Sequence, residues 1–505
     1  MHKRQRKHRE KEPKQTLVDP SLRLSPELIS DIFSLSIDHV QIRNNSPHQS
    51  RGLRYKAASP LVLGAVCRQW RRIAWGTPNL WTFILVHLKP KDVTRQADFL
   101  QDWVRRSGGM QLSVYVYQES PVTSFVAVRP LIDIVNKVSR RWHALYLRIP
   151  ALGISLFSGD QDSSTTALHS LKLLPSTTNM AVAGVGRFGM KALKPSPCNV
   201  SLYEFRFQDV GILWYNVTSV DINGFHVDEC FELFRQARSL RQCRLASIFF
   251  LIDTPSFLLP NHPIEHFGLQ SLNLSSSDTL HLGAFLTLLT LPGLTKLAIS
   301  VSTHDYPISA QVLMEFIRRS SCRLQEFEIR DAHLSDDNMI SLLECLPSLE
   351  ALHILPPALG TQNLAKILGR IAATTHGVSG GEDFLPNMHT FKYHWHGGSG
   401  KILPSGGWWA LLERAIRVRC ENSIESLARW KIFHIEFYPN DYGGLPFLIE
   451  EKSLTYFLSV IEDGVDLKLK YPDENLDLVK EAAEHYGILE VDDDEVLITS
   501  DYSSA

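Results

Sequence analysis

The stretch Leu294-Thr295-Lys296-Leu297-Ala298-Ile299 returns in kind as Leu324-Gln325-Glu326-Phe327-Glu328-Ile329 and as Leu349-Glu350-Ala351-Leu352-His353-Ile354. Each has an apolar residue, two others, an apolar residue, one other and a last apolar residue. The final two apolar positions are two apart, so on an extended chain they share one face while the residues alternating with them share the other. The pattern also stands at Trp142/Leu145/Leu147, Leu168/Leu171/Leu173, Leu202/Phe205/Phe207, Val217/Val220/Ile222, Leu240/Cys243/Leu245 and Leu269/Leu272/Leu274, and later at Met388/Phe391/Tyr393 and Trp430/Phe433/Ile435. The leading positions 240, 269, 294, 324 and 349 differ by 29, 25, 30 and 25 residues, a strand-plus-helix period.

Helical three-and-four spacing fills the intervals. Cys230, Leu233, Phe234 and Ala237 line one face between Asp228 and Ser239; Met339, Leu342, Leu343 and Leu346 do so after Ser335, a cap with Asp336 and Asp337 in the first turn. One strand and one helix cannot hide their apolar faces alone, so neighbours must stack. The spacing is that of a leucine-rich repeat, and it predicts a curved α/β solenoid over residues 82–440. The step from 202 to 217 has no room for a helix and reads as a bare strand-to-strand crossing. Phe83 to Val86 and Leu112 to Tyr117, around a helix at Val93 to Arg106, read as the opening repeats. Residues 441–489 read as a C-terminal cap with helices at Lys452 to Ile461 and Asn475 to Tyr486. Residues 490–505 read as an acidic flexible tail, and residues 1–20 as a disordered basic tail. The alternating residues should line the open face: Glu204, Arg206, Asp221, Arg244, Lys296, Glu326, Glu328, Arg330, His353, Lys392, His394, His434 and Glu436. This is the expected substrate-binding surface, and its mixed signs argue against a nucleic-acid partner.

The 505 residues are 44% hydrophobic and 21% charged with a net charge of −2, an ordinary globular composition without a global nucleic-acid or membrane field. The most apolar run, Leu282 to Ile299, is broken by Gly283, Pro292, Gly293 and Lys296, so no membrane span is expected. Seven dispersed cysteines without zinc or redox spacing predict reduced thiols in a cytoplasmic or nuclear setting.

Residues 21–81 differ in kind. Ser25 caps a helix opened by Pro26, with Leu28, Ile29, Ile32 and Phe33 on its apolar stripe. A second helix is expected from Pro60, capped by Ser59, carrying Leu63, Val66, Cys67, Trp70 and Ile73. So short a unit has too little interior to cover that surface. Leu24, Glu27, Leu28, Ile29, Ile32 and Phe33, then Val66, Cys67, Arg68, Trp70 and Arg71, resemble the two halves of an F-box. Ser25 stands where proline is usual, although Pro26 follows. The basic insert at about 41–56 and the Thr77 to Trp81 ending resemble the split F-box frequent in mushroom-forming fungi. The resemblance implies that Leu24, Pro26, Leu28, Ile32, Phe33, Val66, Trp70 and Ile73 bind the Skp-type adaptor of a cullin-RING ubiquitin ligase. The solenoid would then hold an unknown substrate protein. A ligase-independent repeat scaffold is the alternative.

Sites for chemistry are sparse. Gly377-Val378-Ser379-Gly380-Gly381 fits a nucleophile elbow in letters, so a hydrolase using Ser379 is the reading from another class, but a helix stands before it where a strand is needed. Gly397 to Lys401 lacks the hydroxyl and first glycine of a phosphate loop. His394 and His396 share a strand face without an apparent third metal ligand. No cofactor is expected, and the chain reads as non-catalytic.

Overall fold

The computed structural model describes residues 24–37, 59–118, 125–161, 167–175, 186–249, 256–276, 279–301, 308–332, 334–357, 364–374, 383–396, 406–421, 427–438, 449–472 and 475–488. Both expected tails, the insert at 41–56, Gly377 to Gly381 with Ser379, and Gly397 to Lys401 lie outside the described residues. The protein is mixed α/β, rich in parallel strands, and divides into two compact units: residues 1–168 with 190–193, and residues 169–189 with 194–505. All seven cysteines are free thiols.

The first unit begins with three helices, α1 (Pro26–Ser36), α2 (Pro60–Val66) and α3 (Arg68–Gly76). Ser25 Oγ accepts the Leu28 N–H at 3.4 Å and Ser59 Oγ the Val62 N–H at 3.3 Å, so both expected caps are present. The single second helix expected from Pro60 to Ile73 is instead two. Cys67 is extended (φ −152°, ψ 173°) and its Sγ accepts the Trp70 N–H at 3.4 Å, so the thiol caps a new helix where the old one stops. A core of Ile29, Phe33, Leu63, Ile73, Ala74, Leu80 and Trp81 closes over this break, with Trp70 packed against it.

The chain then enters β1 (Phe83–His87), α4 (Val93–Arg106), β2 (Leu112–Tyr117), α5 (Arg129–Lys137), β3 (Trp142–Arg148) and the short α6 (Ala151–Ile154). The three strands are parallel, in the order β1-β2-β3. The Arg106 guanidinium lies 5.1 Å from both the Trp75 and Trp81 rings, and Trp103 meets Trp81 edge-on at 4.7 Å, which ties α3 to α4.

The second unit contains β4 (Ser170–Leu174), β5 (Phe188–Gly189), β6 (Asn199–Tyr203), β7 (Val210–Gly211), β8 (Ser219–Asn223), α7 (Val227–Gln236), β9 (Gln242–Ala246), β10 (Ile264–Glu265), β11 (Ser271–Ser276), α8 (Thr279–Thr287), β12 (Leu289–Thr290) and β13 (Lys296–Val301). It continues through α9 (Ala310–Ser320), β14 (Glu326–Arg330), α10 (Asp336–Glu344), β15 (Ala351–Leu355), α11 (Leu364–Ala372), β16 (Thr390–His396), α12 (Gly406–Cys420), β17 (Ile432–Tyr438), α13 (Glu451–Glu462), β18 (Asp466–Tyr471), β19 (Leu476–Asp477) and α14 (Leu478–His485). Its sheet runs β4-β6-β8-β9-β11-β13-β14-β15-β16-β17-β18-β19, parallel except for the last pair, while β5-β7 and β10-β12 form separate short pairs.

The register follows the repeated motif. Leu272, Leu297, Phe327, Leu352, Phe391 and Phe433 align across successive strands, as do Leu274, Ile299, Ile329 and Ile354, and all are buried. Parallel strands need crossover connections, which the intervening helices supply. Between β6 and β8 only 3-10 turns at Phe207–Asp209 and Trp214–Asn216 with the short β7 intervene, as the 15-residue step required.

Two expectations about the second unit also fail. The motif Leu202/Phe205/Phe207 is out of register: the strand is Asn199–Tyr203, buried through Val200 and Leu202, with buried Pro197 in the leading slot. Phe205 and Phe207 belong to the following turn, where Glu204 takes a positive φ of 57° that ends the strand. The second concerns the C-terminal cap. Its helices are present as α13 and α14, but β18 lies between them and pairs in parallel with β17, so the repeated sheet continues. Gly464, at φ 89°, occupies the slot where an apolar residue would have revealed Leu467 and Leu469.

Candidate interaction surfaces

On α1 the apolar residues form two stripes. Ile29 and Phe33 face inward, and Phe33 meets Trp70 at 4.9 Å between ring centroids. Leu24, Leu28, Ile32 and Leu35, spaced by three and four, face solvent; Leu28 is 53% exposed, Ile32 49% and Leu35 85%. On the next helix Leu61, Val62 and Val66 are exposed while Leu63 is buried. Of the residues expected to bind an adaptor, Leu24, Pro26, Leu28, Ile32 and Val66 are therefore at the surface. Phe33 and Ile73 are not: with Trp70 half-buried against them, they are the floor on which that surface rests. The floor is braced by polar contacts. Trp81 Nε1 donates to the Ala74 carbonyl at 2.8 Å, Arg71 Nε to the Gly64 carbonyl at 2.7 Å, and the Ser30 and Thr77 hydroxyls lie 3.1 Å apart.

In the second unit the residues alternating with the buried ones form ranks across the sheet. One rank runs Lys172, Ser201, Asp221, Arg244, Asn273, Ala298, Glu328, His353, Lys392, His434 and Lys468, each in register with the next. A neighbouring rank contains Ser271, Lys296, Glu326, Ala351, Thr390, Ile432 and Asp466. Arg244, Lys296, Glu326, Glu328, Arg330, His353 and Lys392 thus share the one face expected of them. Glu204 and Arg206 do not, because both lie beyond the end of β6. Arg206 instead donates at 2.8 Å to Glu229, a fully buried carboxylate that also accepts the backbone N–H groups of Phe207 and His226 at 2.9 Å each.

Charges on this face are mostly paired with one another. Arg244 holds Asp221 at 3.0 Å and Lys296 holds Glu326 at 2.6 Å. Glu328 is bonded by Arg330 and approached by His353 Nδ1 at 3.8 Å; the His353 contact first, and Arg330 next, bring its carboxyl down to about 2. His353 Nε2 lies 3.3 Å from His394 Nε2, which is 3.4 Å from Glu436. His434 bonds Asp466 at 2.8 Å, yet burial lowers its pKa overall. A shallow groove of about 300 Å³ crosses the ranks, with small Ala298 and Ala351 among Lys296, Glu326, Glu328 and Lys392.

Sequence reasoning missed Asp466, Lys468 and Lys470, which β18 adds to this face. The alternation Asp466-Leu467-Lys468-Leu469-Lys470 was the available signal. Among the described residues no group of three or more His, Cys, Asp or Glu is placed to hold a metal ion, and no helix is long and apolar enough to cross a membrane.

No family model and no curated protein matches the chain. The crystal structure of a protein from Bacteroides fragilis matches at a TM-score of 0.26 and 10% identity, over 78% of this chain and 77% of that one. A likeness that weak carries no argument about fold or function.

Proposed function

We propose that this chain is the substrate-recognition subunit of an SCF-type cullin-RING ubiquitin ligase. In this reading α1 to α3 are an F-box that binds a Skp-type adaptor, and the repeated strands are a leucine-rich-repeat-like solenoid that binds the substrate protein. The observation that carries it is the exposed stripe of Leu24, Leu28, Ile32 and Leu35 at α1, with Leu61, Val62 and Val66 also exposed on α2, around a core that is already filled. Apolar surface arranged this way is stabilised by a partner helix rather than by further folding. The chain supplies no reacting group. It raises the effective concentration of substrate lysines near a charged conjugating enzyme. A cytoplasmic or nuclear setting goes with that role.

The test is capture of purified Skp-type adaptor by the full chain and by Leu28→Glu/Ile32→Glu. Both substituted side chains are at the surface, so the variant should keep the wild-type circular dichroism and melting temperature. Capture by wild type with loss in the folded variant is expected. Absence of capture by both leaves the sheet face as a ligase-independent protein-interaction scaffold.

A further inference from the structure

We propose that the sheet face across β15 to β18 receives an acidic segment of a partner protein, anchored on Lys392 and Lys470. This names the chemistry of the partner for the face read above as a recognition surface; it does not depend on the ligase. The argument is a balance of charges. Strands β14 to β18 carry the carboxylates Glu326, Glu328, Glu436 and Asp466, and each already has a basic or hydroxyl partner. Lys296 holds Glu326 at 2.6 Å; Arg330 and His353 hold Glu328; the Tyr438 hydroxyl donates to Glu436 at 2.8 Å with His394 beside it at 3.4 Å; Lys468 and His434 each reach Asp466 at 2.8 Å.

Lys392 and Lys470 have no ion pair among the described residues, and both are only half-exposed. Lys392 stands in register between His353 and His434, and Lys470 lies opposite Glu436. Counting lysines and arginines, the face sets five positive charges, Lys296, Arg330, Lys392, Lys468 and Lys470, against its four carboxylates, so the field left over is positive, and the two lysines outside the ion pairs lie on one surface. With strands about 4.8 Å apart and residues about 3.3 Å apart along them, the two Cα atoms are separated by roughly 12 Å, the reach of three to four residues of extended chain. An extended segment with carboxylates at that separation can pair with both lysines without taking a partner from any carboxylate of the face.

The probe is fluorescein-labelled octaglutamate, followed by anisotropy with the full chain at pH 7.5 and low salt. Residues 3–14 carry seven Lys and Arg, so the informative quantity is the difference between proteins that share them. Lys392→Glu/Lys470→Glu is expected to weaken binding about tenfold or more, with Lys392→Gln/Lys470→Gln in between, while Lys89→Glu/Lys91→Glu leaves it unchanged. Circular dichroism checks that each variant is folded. Equal loss in the Lys89/Lys91 pair, or none in the Lys392/Lys470 pair, overturns the proposal. So does binding that appears only after removal of residues 489–505, since the chain's own acidic end would then be the occupant. Adaptor capture is a separate measurement on the other unit, so failure here and failure of the ligase reading are told apart.

Discussion

The stripe on α1 and the face of the second unit's sheet are both exposed, yet their groups are in different states. Leu28, Ile32 and Leu35 have apolar surface in water, about half to most of each side chain, and covering it returns that share of the about 1.5–3 kcal/mol that full burial gives, whatever apolar group does it. On the sheet, Glu328 is already bonded by Arg330 and approached by His353, and Asp466 is bonded by His434 and Lys468. A partner that engages those groups exchanges one set of bonds for another, which yields selectivity and register more than affinity. One chain thus carries an exposed face whose apolar groups are unmatched and an exposed face whose charged groups are largely matched already.

The largest effect that tests this contrast lies within one helix. Phe33→Ala removes an inward side chain of α1 that is 1% exposed and should cost about 3–5 kcal/mol in urea unfolding. Leu28→Glu/Ile32→Glu, each one residue before an inward side chain, Ile29 and Phe33, should change unfolding by only about 0.5 kcal/mol. If the stripe binds an adaptor as proposed, the affinity of that pair should fall about a hundredfold, as two lost apolar contacts imply. A Phe33→Ala protein as stable as wild type would mean that the two stripes are not distinct.

A smaller effect should appear on the sheet as a pH dependence. His353 first, and Arg330 next, draw the Glu328 carboxyl from 4.5 to about 2 in the folded protein. A carboxyl with a lowered folded pKa contributes stability that is fully present above its unfolded value and lost as pH falls through its folded value. The advantage of wild type over Glu328→Gln in urea unfolding should therefore be complete above about pH 5, shrink below pH 4.5 and vanish near pH 2. A difference that stays constant over that range would show that the carboxylate does no more there than fill space.

Much of the fold was legible because the buried pair of each motif is two residues apart and strands tolerate no slip without exposing it. Leu297/Ile299, Phe327/Ile329 and Leu352/Ile354 therefore fixed both strand and face before any contact was known. Reading failed where a leading slot carried the wrong residue: Pro197 hid β6 and let Leu202/Phe205/Phe207 stand in for it, and Gly464 hid β18. The apolar residues of α1 were legible as a group, but their division was not. Which of Leu28, Ile29, Ile32 and Phe33 faces inward depends on where α3 returns, and that is set by the Cys67 break, which periodicity does not register.

The smallest effect concerns Lys296 and Glu326, and it decides how freely the sheet face can be rearranged. Their charged atoms are 2.6 Å apart, but the side chains are 52% and 50% exposed, so water and salt screen the attraction. A double-mutant cycle with Lys296→Ala and Glu326→Ala should give a coupling of about 0.2–1 kcal/mol that fades as salt is raised to about 1 M. A value in that range means a partner can recruit either residue at little cost, as expected of a face that discriminates by exchanging bonds. A salt-resistant coupling above about 2 kcal/mol would mean that the pair is held rigidly by its strands. The face would then read a partner by the shape of the groove around Ala298 and Ala351, and the contrast with the apolar stripe would be one of geometry instead of charge.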